Sequence, residues 1–172
     1  GFTAGTNLLA SWQPDYNYWF SPSDWSGGLN PNIDGNLTDG LNFTIPTGTG
    51  SDQWQAQVHI EHNGPTLSAG KNYDFSIVII SPVGGIKATV KPQKEGDDNT
   101  FFTDAQYPLH EGLNTIALSN KAGFDGPFKI ALDFAGAPVG AEFTIKRAYL
   151  TEHDDANIAP FDSHDSKNLL QD

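Results

Sequence analysis

Apolar residues recur at every second position through most of the chain. Leu41, Phe43 and Ile45 alternate with polar neighbours, as do Ala56, Val58 and Ile60, and Phe75, Ile77 and Ile79. The pattern resumes at Ile116 and Leu118, at Phe128, Ile130, Leu132 and Phe134, and at Phe143 and Ile145. A period of two lays one face of an extended strand against a core. Turn-forming clusters divide the runs: Pro46-Thr47-Gly48, His62-Asn63-Gly64-Pro65, Ser81-Pro82-Val83-Gly84-Gly85, Gly123-Phe124-Asp125-Gly126-Pro127 and Gly136-Ala137-Pro138. No stretch of about ten residues carries a helical stripe with caps. The pattern predicts an all-β chain, an antiparallel two-sheet β-sandwich.

Two regions break the alternation. Residues 12–40 read as a loop dense in aromatics, with Trp12, Tyr16, Tyr18, Trp19, Phe20 and Trp25. Residues 152–167 are acid-rich and read as a solvated linker after a module spanning 1–151. Asn7-Leu8-Leu9 near the start recurs as Asn168-Leu169-Leu170, so residues 168–172 read as the start of a tandem module.

Composition narrows the function classes. The chain has 172 residues, a formal charge of −12, no Cys and no Met. Lacking Cys, it has neither a disulfide framework nor a Cys-based metal site. So acidic a surface repels phosphate, and Arg147 is the only arginine, which argues against nucleic acid. No apolar run reaches the ~18 residues of a membrane span. The leading Gly1 and the missing Met suggest an excised piece, with any targeting signal outside it. A polar, Lys-poor chain rich in Asn, Thr and Gly fits an extracellular, secreted setting.

The most legible strand runs from Gln55 to Glu61. Ala56, Val58 and Ile60 point one way; Gln55, Gln57, His59 and Glu61 point the other. Such a row offers donors and acceptors every ~6.6–6.8 Å, a spacing that suits the hydroxyls of a polysaccharide in a shallow cleft. Asp133 alternates with Leu132 and Phe134 and falls on a polar face beside Ala131 and Lys129. Trp54 precedes the polar row, where it either caps the core or lays its indole on a sugar ring.

These segments resemble a known superfamily. Asn7-Leu8-Leu9, Trp54-Gln55-Ala56-Gln57, Leu67-Ser68-Ala69-Gly70-Lys71-Asn72-Tyr73-Asp74-Phe75-Ser76, Glu111-Gly112-Leu113-Asn114, Ala131-Leu132-Asp133-Phe134 and the run Phe143 to Leu150 occur in its order. Together they look like the carbohydrate-binding modules of families 4, 9, 16 and 22, as attached to bacterial xylanases and glucanases. The resemblance covers roughly residues 6–151.

It implies a jelly-roll, galactose-binding-like sandwich that binds one β-glycan chain across one sheet without cleaving it. Xylan is the first expected ligand and mixed-linkage, β-1,3- or cellulosic glucan the second. The implied partner is a covalently linked catalytic domain, and the implied state a monomeric module. The resemblance makes Trp54 the stacking platform and Gln57 and Asp133 its hydrogen-bonding partners, with Gln55 and His59 beside them. A second aromatic would come from Phe101, Phe102 or Tyr107. No cofactor is expected. The family's structural calcium is doubtful, because Lys146 and Arg147 stand where a carboxylate would be needed.

Other motifs are weak. Asn30-Pro31-Asn32-Ile33-Asp34-Gly35-Asn36 resembles half of a calcium loop but has Leu41 at the twelfth position. Gly48-Thr49-Gly50 lacks the third glycine of a nucleotide fingerprint. His59 and His62 would lie on opposite strand faces, so no metal is assigned to them. Ser163-His164-Asp165 places triad residue types in direct succession, where their side chains diverge. Asn36-Leu37-Thr38 and Asn42-Phe43-Thr44 match glycosylation acceptors. Two alternatives stay open. One is a small glycoside hydrolase or lyase built on Asp133 and Glu61, which needs carboxylates about 5–10 Å apart. The other is an adhesive sandwich that binds protein through the Tyr16–Trp25 loop.

Overall fold

A computed structural model describes residues 5–20, 33–46, 51–102, 105–153 and 161–167. Within these the chain forms thirteen strands: β1 (Asp15–Phe20), β2 (Asp34–Asn36), β3 (Gly40–Thr44), β4 (Ala56–Glu61), β5 (Thr66–Leu67), β6 (Asn72–Ser81), β7 (Lys87–Lys94), β8 (Asp97–Phe101), β9 (Ala105–Pro108), β10 (Gly112–Lys121), β11 (Gly126–Asp133), β12 (Glu142–Glu152) and β13 (Phe161–Lys167). One 3-10 turn, Gln53–Gln55, precedes β4. Every strand pairing is antiparallel, as the alternation predicts.

The strands make two sheets. One runs β1-β4-β11-β7-β8, with β5 added to β11 and β9 to β7; the other runs β13-β10-β6-β12-β3-β2. The alternating residues meet between them. Phe43, Phe134 and Phe143 pack with ring centroids 4.9–5.5 Å apart, and Phe128 bridges Trp12 and Phe75 at 5.9 and 6.1 Å. Each such ring removed from water contributes about 1.5–3 kcal/mol, so inter-sheet packing dominates the stability of the fold.

The segments that carry the family resemblance have structural roles. Asn7 Oδ1 accepts the backbone N–H groups of Leu9 and Leu150, both at 3.1 Å, which ties the N-terminal stretch to β12. In the Leu67 to Ser76 run, Gly70 turns the chain at φ 83°, and the buried Tyr73 hydroxyl accepts the Ser68 N–H at 3.0 Å. Pro92 sits inside β7 without harm, because β7 changes partner there, from β9 at Val90 to β8 at Gln93.

Two sequence expectations are corrected. The acidic stretch 152–167 is more than a linker. Glu152 closes β12, and Phe161–Lys167 pairs with β10 along Leu113 to Ser119, extending the second sheet. The aromatic stretch 12–40 is not all loop. Tyr16, Tyr18 and Phe20 turn inward from β1, and Trp12 donates its indole N–H to the His62 carbonyl at 2.7 Å. The tandem start at 168–172, residues 30–32 of the Asn30–Asn36 motif, Trp25 and the Gly48-Thr49-Gly50 turn lie outside the described residues.

Candidate functional site

Register places the outward side chains of the first sheet in three rungs. Trp19, Gln57, Asp133, Thr89 and Gln106 form one; Asn17, His59, Ala131 and Lys91 form the next; Asp15, Glu61, Lys129, Gln93 and Phe101 form the third. Ala131, the small member, opens the middle of the face. The result is a cleft of about 520 Å³ lined by Trp19, Gln57, His59, Glu61, Lys91, Gln93, Lys129 and Ala131, with His62, Glu95 and Gly96 at one end.

The floor is a buried polar network rather than a plain wet surface. His59, Gln93, Lys129 and Asp133 are all buried. Gln57 donates from Nε2 to the Trp54 carbonyl at 2.8 Å, and its Oε1 lies 2.6 Å from His59 Nε2. Lys129 Nζ lies 3.3 Å from His59 Nδ1 and 3.6 Å from Glu61 Oε1. Asn17 donates to Glu61 Oε2 at 2.7 Å. One assignment satisfies the whole chain: a neutral His59 that donates from Nε2 and accepts the ammonium at Nδ1. His59 Nδ1 also lies 3.6 Å from Glu61 Oε1, but the lysine between them is the attractive partner.

Lys91 completes the floor by pairing with Asp133 Oδ2 at 2.9 Å. Both floor lysines are thus matched by a carboxylate, which offsets the cost of burying them. The cleft therefore presents many hydrogen-bonding groups with its positive charge internally balanced.

At the cleft end the chain turns sharply through His62 and Asn63, both left-handed at φ 71° and 60°. Gly64 follows because a Cβ there would meet the Phe128 carbonyl oxygen at 2.0 Å. His62 Nδ1 lies 2.7 Å from Asp15 Oδ2. That hydrogen bond, reinforced by Glu61 and Glu95, holds the imidazole pKa above its ordinary value.

The predicted residues divide. Gln57 and His59 line the cleft. Trp54 is 44% exposed on the 3-10 turn beyond Gln57, outside the cleft lining. Gln55 belongs to that same turn, not to the polar row: its Oε1 caps the Asp52 N–H at 2.9 Å. Asp133 is on the predicted face but buried, and reaches the cleft through Lys91. Among the three loop aromatics, Phe101 shares a rung with Gln93. Phe102 and Tyr107 are instead core residues, packed edge-on against Tyr73 and His164 at 6.4 and 6.0 Å.

Trp19 is the residue that the sequence reading missed. It faces Gln57 directly across the β1–β4 pair and stands 39% exposed on the cleft wall.

No protein-family model and no curated protein matches the chain. Solved structures do. The chain resembles the BiXyn10A CBM1 in its apo form (TM-score 0.59, 17% identity, 86% of this chain and 96% of that one). It also resembles a CBM4 structure (0.54, 17%, 70% and 91%). A third is the second N-terminal cellulose-binding domain of Cellulomonas fimi β-1,4-glucanase C (0.50, 17%, 89% and 94%). The chain has the fold of a carbohydrate-binding module.

The calcium implied by the resemblance would need a carboxylate at the bulge in β12. Lys146 and Arg147 stand exposed at the bulge in β12, and cations there repel a divalent ion. The triad-like run is likewise disposed of: His164 Nε2 lies 3.0 Å from Asn114 Oδ1, so the histidine serves the junction of β13 with β10. No helix among the described residues is long and apolar enough to cross a membrane.

Proposed function

We propose that this chain is a non-catalytic module that holds a neutral β-1,4-linked polysaccharide, xylan first, in the cleft of the first sheet. The observation that carries the reading is the pairing of an exposed indole, Trp19, with a polar floor whose lysines are already neutralised. An indole face covers the C–H face of a sugar ring. Amide, imidazole and ion-paired groups then meet its hydroxyls without favouring a charged ligand.

The module would be monomeric and secreted, and would work by raising the local concentration of polymer near a linked glycoside hydrolase. β-Glucan is the second reading, favoured by the likeness to a domain that is named cellulose-binding. Hydrolysis is disfavoured by the strand register. Glu61 and Asp133 are two rungs apart, about 13 Å along the strands, beyond the separation that glycosidase carboxylates need. Asp133 is also paired with Lys91 at 2.9 Å.

The test is native affinity electrophoresis against xylan, mixed-linkage glucan, laminarin and polygalacturonate, with reducing ends assayed on the same samples. Retardation by xylan without sugar release is expected. Retardation by polygalacturonate alone, or measurable turnover, overturns the reading.

A further inference from the structure

Three ligating side chains from separate segments converge at one end of the cleft. Glu61 closes β4, His62 opens the turn after it, and Glu95 lies between β7 and β8. Their ligand atoms all lie within 4.8 Å of one another.

His62 distinguishes this group from an ordinary acidic patch. Asp15, outside the trio, accepts the Nδ1 proton at 2.7 Å and so leaves Nε2 with a lone pair. Nε2 lies 3.8 Å from Glu95 Oε1. A carboxylate on the far nitrogen is what fixes the tautomer and ring orientation of metal-binding histidines. The backbone supports the same placement, because the His62 N–H donates to Glu95 Oε1. Charge points the same way. Three carboxylates, Asp15, Glu61 and Glu95, gather around the imidazole, and Lys129 lies 3.6 Å from Glu61.

We propose that Glu61, His62 and Glu95 form a binding site for a divalent transition-metal ion of the zinc class, with Asp15 as the supporting outer carboxylate. One imidazole with two carboxylates suits zinc and its neighbours better than calcium or magnesium, which take all-oxygen shells. Zinc–ligand bonds of about 2.0–2.2 Å put donor atoms roughly 3.3 Å apart, so the partly exposed His62 and Glu95 side chains need rotate only modestly to close on the ion. Three protein ligands leave a coordination position open towards the cleft. The inference does not depend on the ligand being a glycan.

The test is calorimetric titration of the metal-stripped chain with zinc chloride at about pH 8, because metal affinity rises as protons are removed from the ligands. About one zinc per chain is expected, with a Kd tighter than about 100 μM. Affinity should fall at least tenfold in His62→Gln and in Glu95→Gln, and stay unchanged in His153→Gln. The unmutated chain gives a second readout, independent of whether the variants fold: zinc should shift the 15N resonance of His62 Nε2 while that of Nδ1 keeps its proton. No saturable binding up to millimolar zinc, wild-type affinity in His62→Gln, or a shift at another histidine instead, overturns the proposal.

Discussion

Trp19 and Trp54 are both exposed indoles next to Gln57, but they reach it differently. Trp19 is its cross-strand neighbour on the cleft wall, whereas Trp54 accepts the Gln57 amide with its backbone carbonyl. Trp19→Ala should therefore lower affinity for the best polysaccharide at least tenfold, about 1.4 kcal/mol, and Trp54→Ala by less. Calorimetry on the two variants checks the order, and equal losses would move the platform to the 3-10 turn. Gln57→Ala should cost about 1–3 kcal/mol of binding, because it removes a ligand partner and also strips the imidazole of the acceptor that orients it. Phe102→Ala should behave differently. Its ring is buried against Tyr73, so the loss, about 3–5 kcal/mol, should fall on folding stability measured by denaturant titration.

At the scale of the element, legibility followed the cleanliness of the alternation. The inward faces of β3, β4, β6, β10, β11 and β12 were all readable, because buried apolar residues recur there at every second position. β1 hid itself, since aromatic residues occupy both of its faces. The useful signal was there in Asp15, Asn17 and Trp19 alternating with Tyr16, Tyr18 and Phe20. β7 was obscured by Pro92 and its lysines, and β13 by a composition that mimics a solvated linker. Gln55 misled because a period of two cannot reveal where a 3-10 turn ends and a strand begins. The β13 junction makes its own prediction. Asn114 is fully buried, donates to the His110 and Gly112 carbonyls at 3.0 and 3.1 Å, and accepts from the His110 N–H at 3.1 Å. Asn114→Ala should destabilise the fold by about 1–3 kcal/mol and loosen β13 first, seen as faster amide exchange across 161–167.

The whole molecule carries a formal charge of −12, yet the cleft floor keeps its two lysines paired. Binding of a neutral glycan should therefore be nearly indifferent to salt, with affinity changing less than about twofold between 50 and 500 mM sodium chloride. A steep salt dependence would reveal a charged ligand. The placement of Trp19 has a kinetic consequence. It rides on β1, which closes one end of its sheet's described path and is hydrogen-bonded there only to β4. A marginal ribbon breathes more often than the interior ones, and each excursion would carry the indole off its saccharide. Residence time on the polymer would then be governed by how firmly that ribbon is laced down, and the Asn17–Glu61 and Asp15–His62 contacts are the laces.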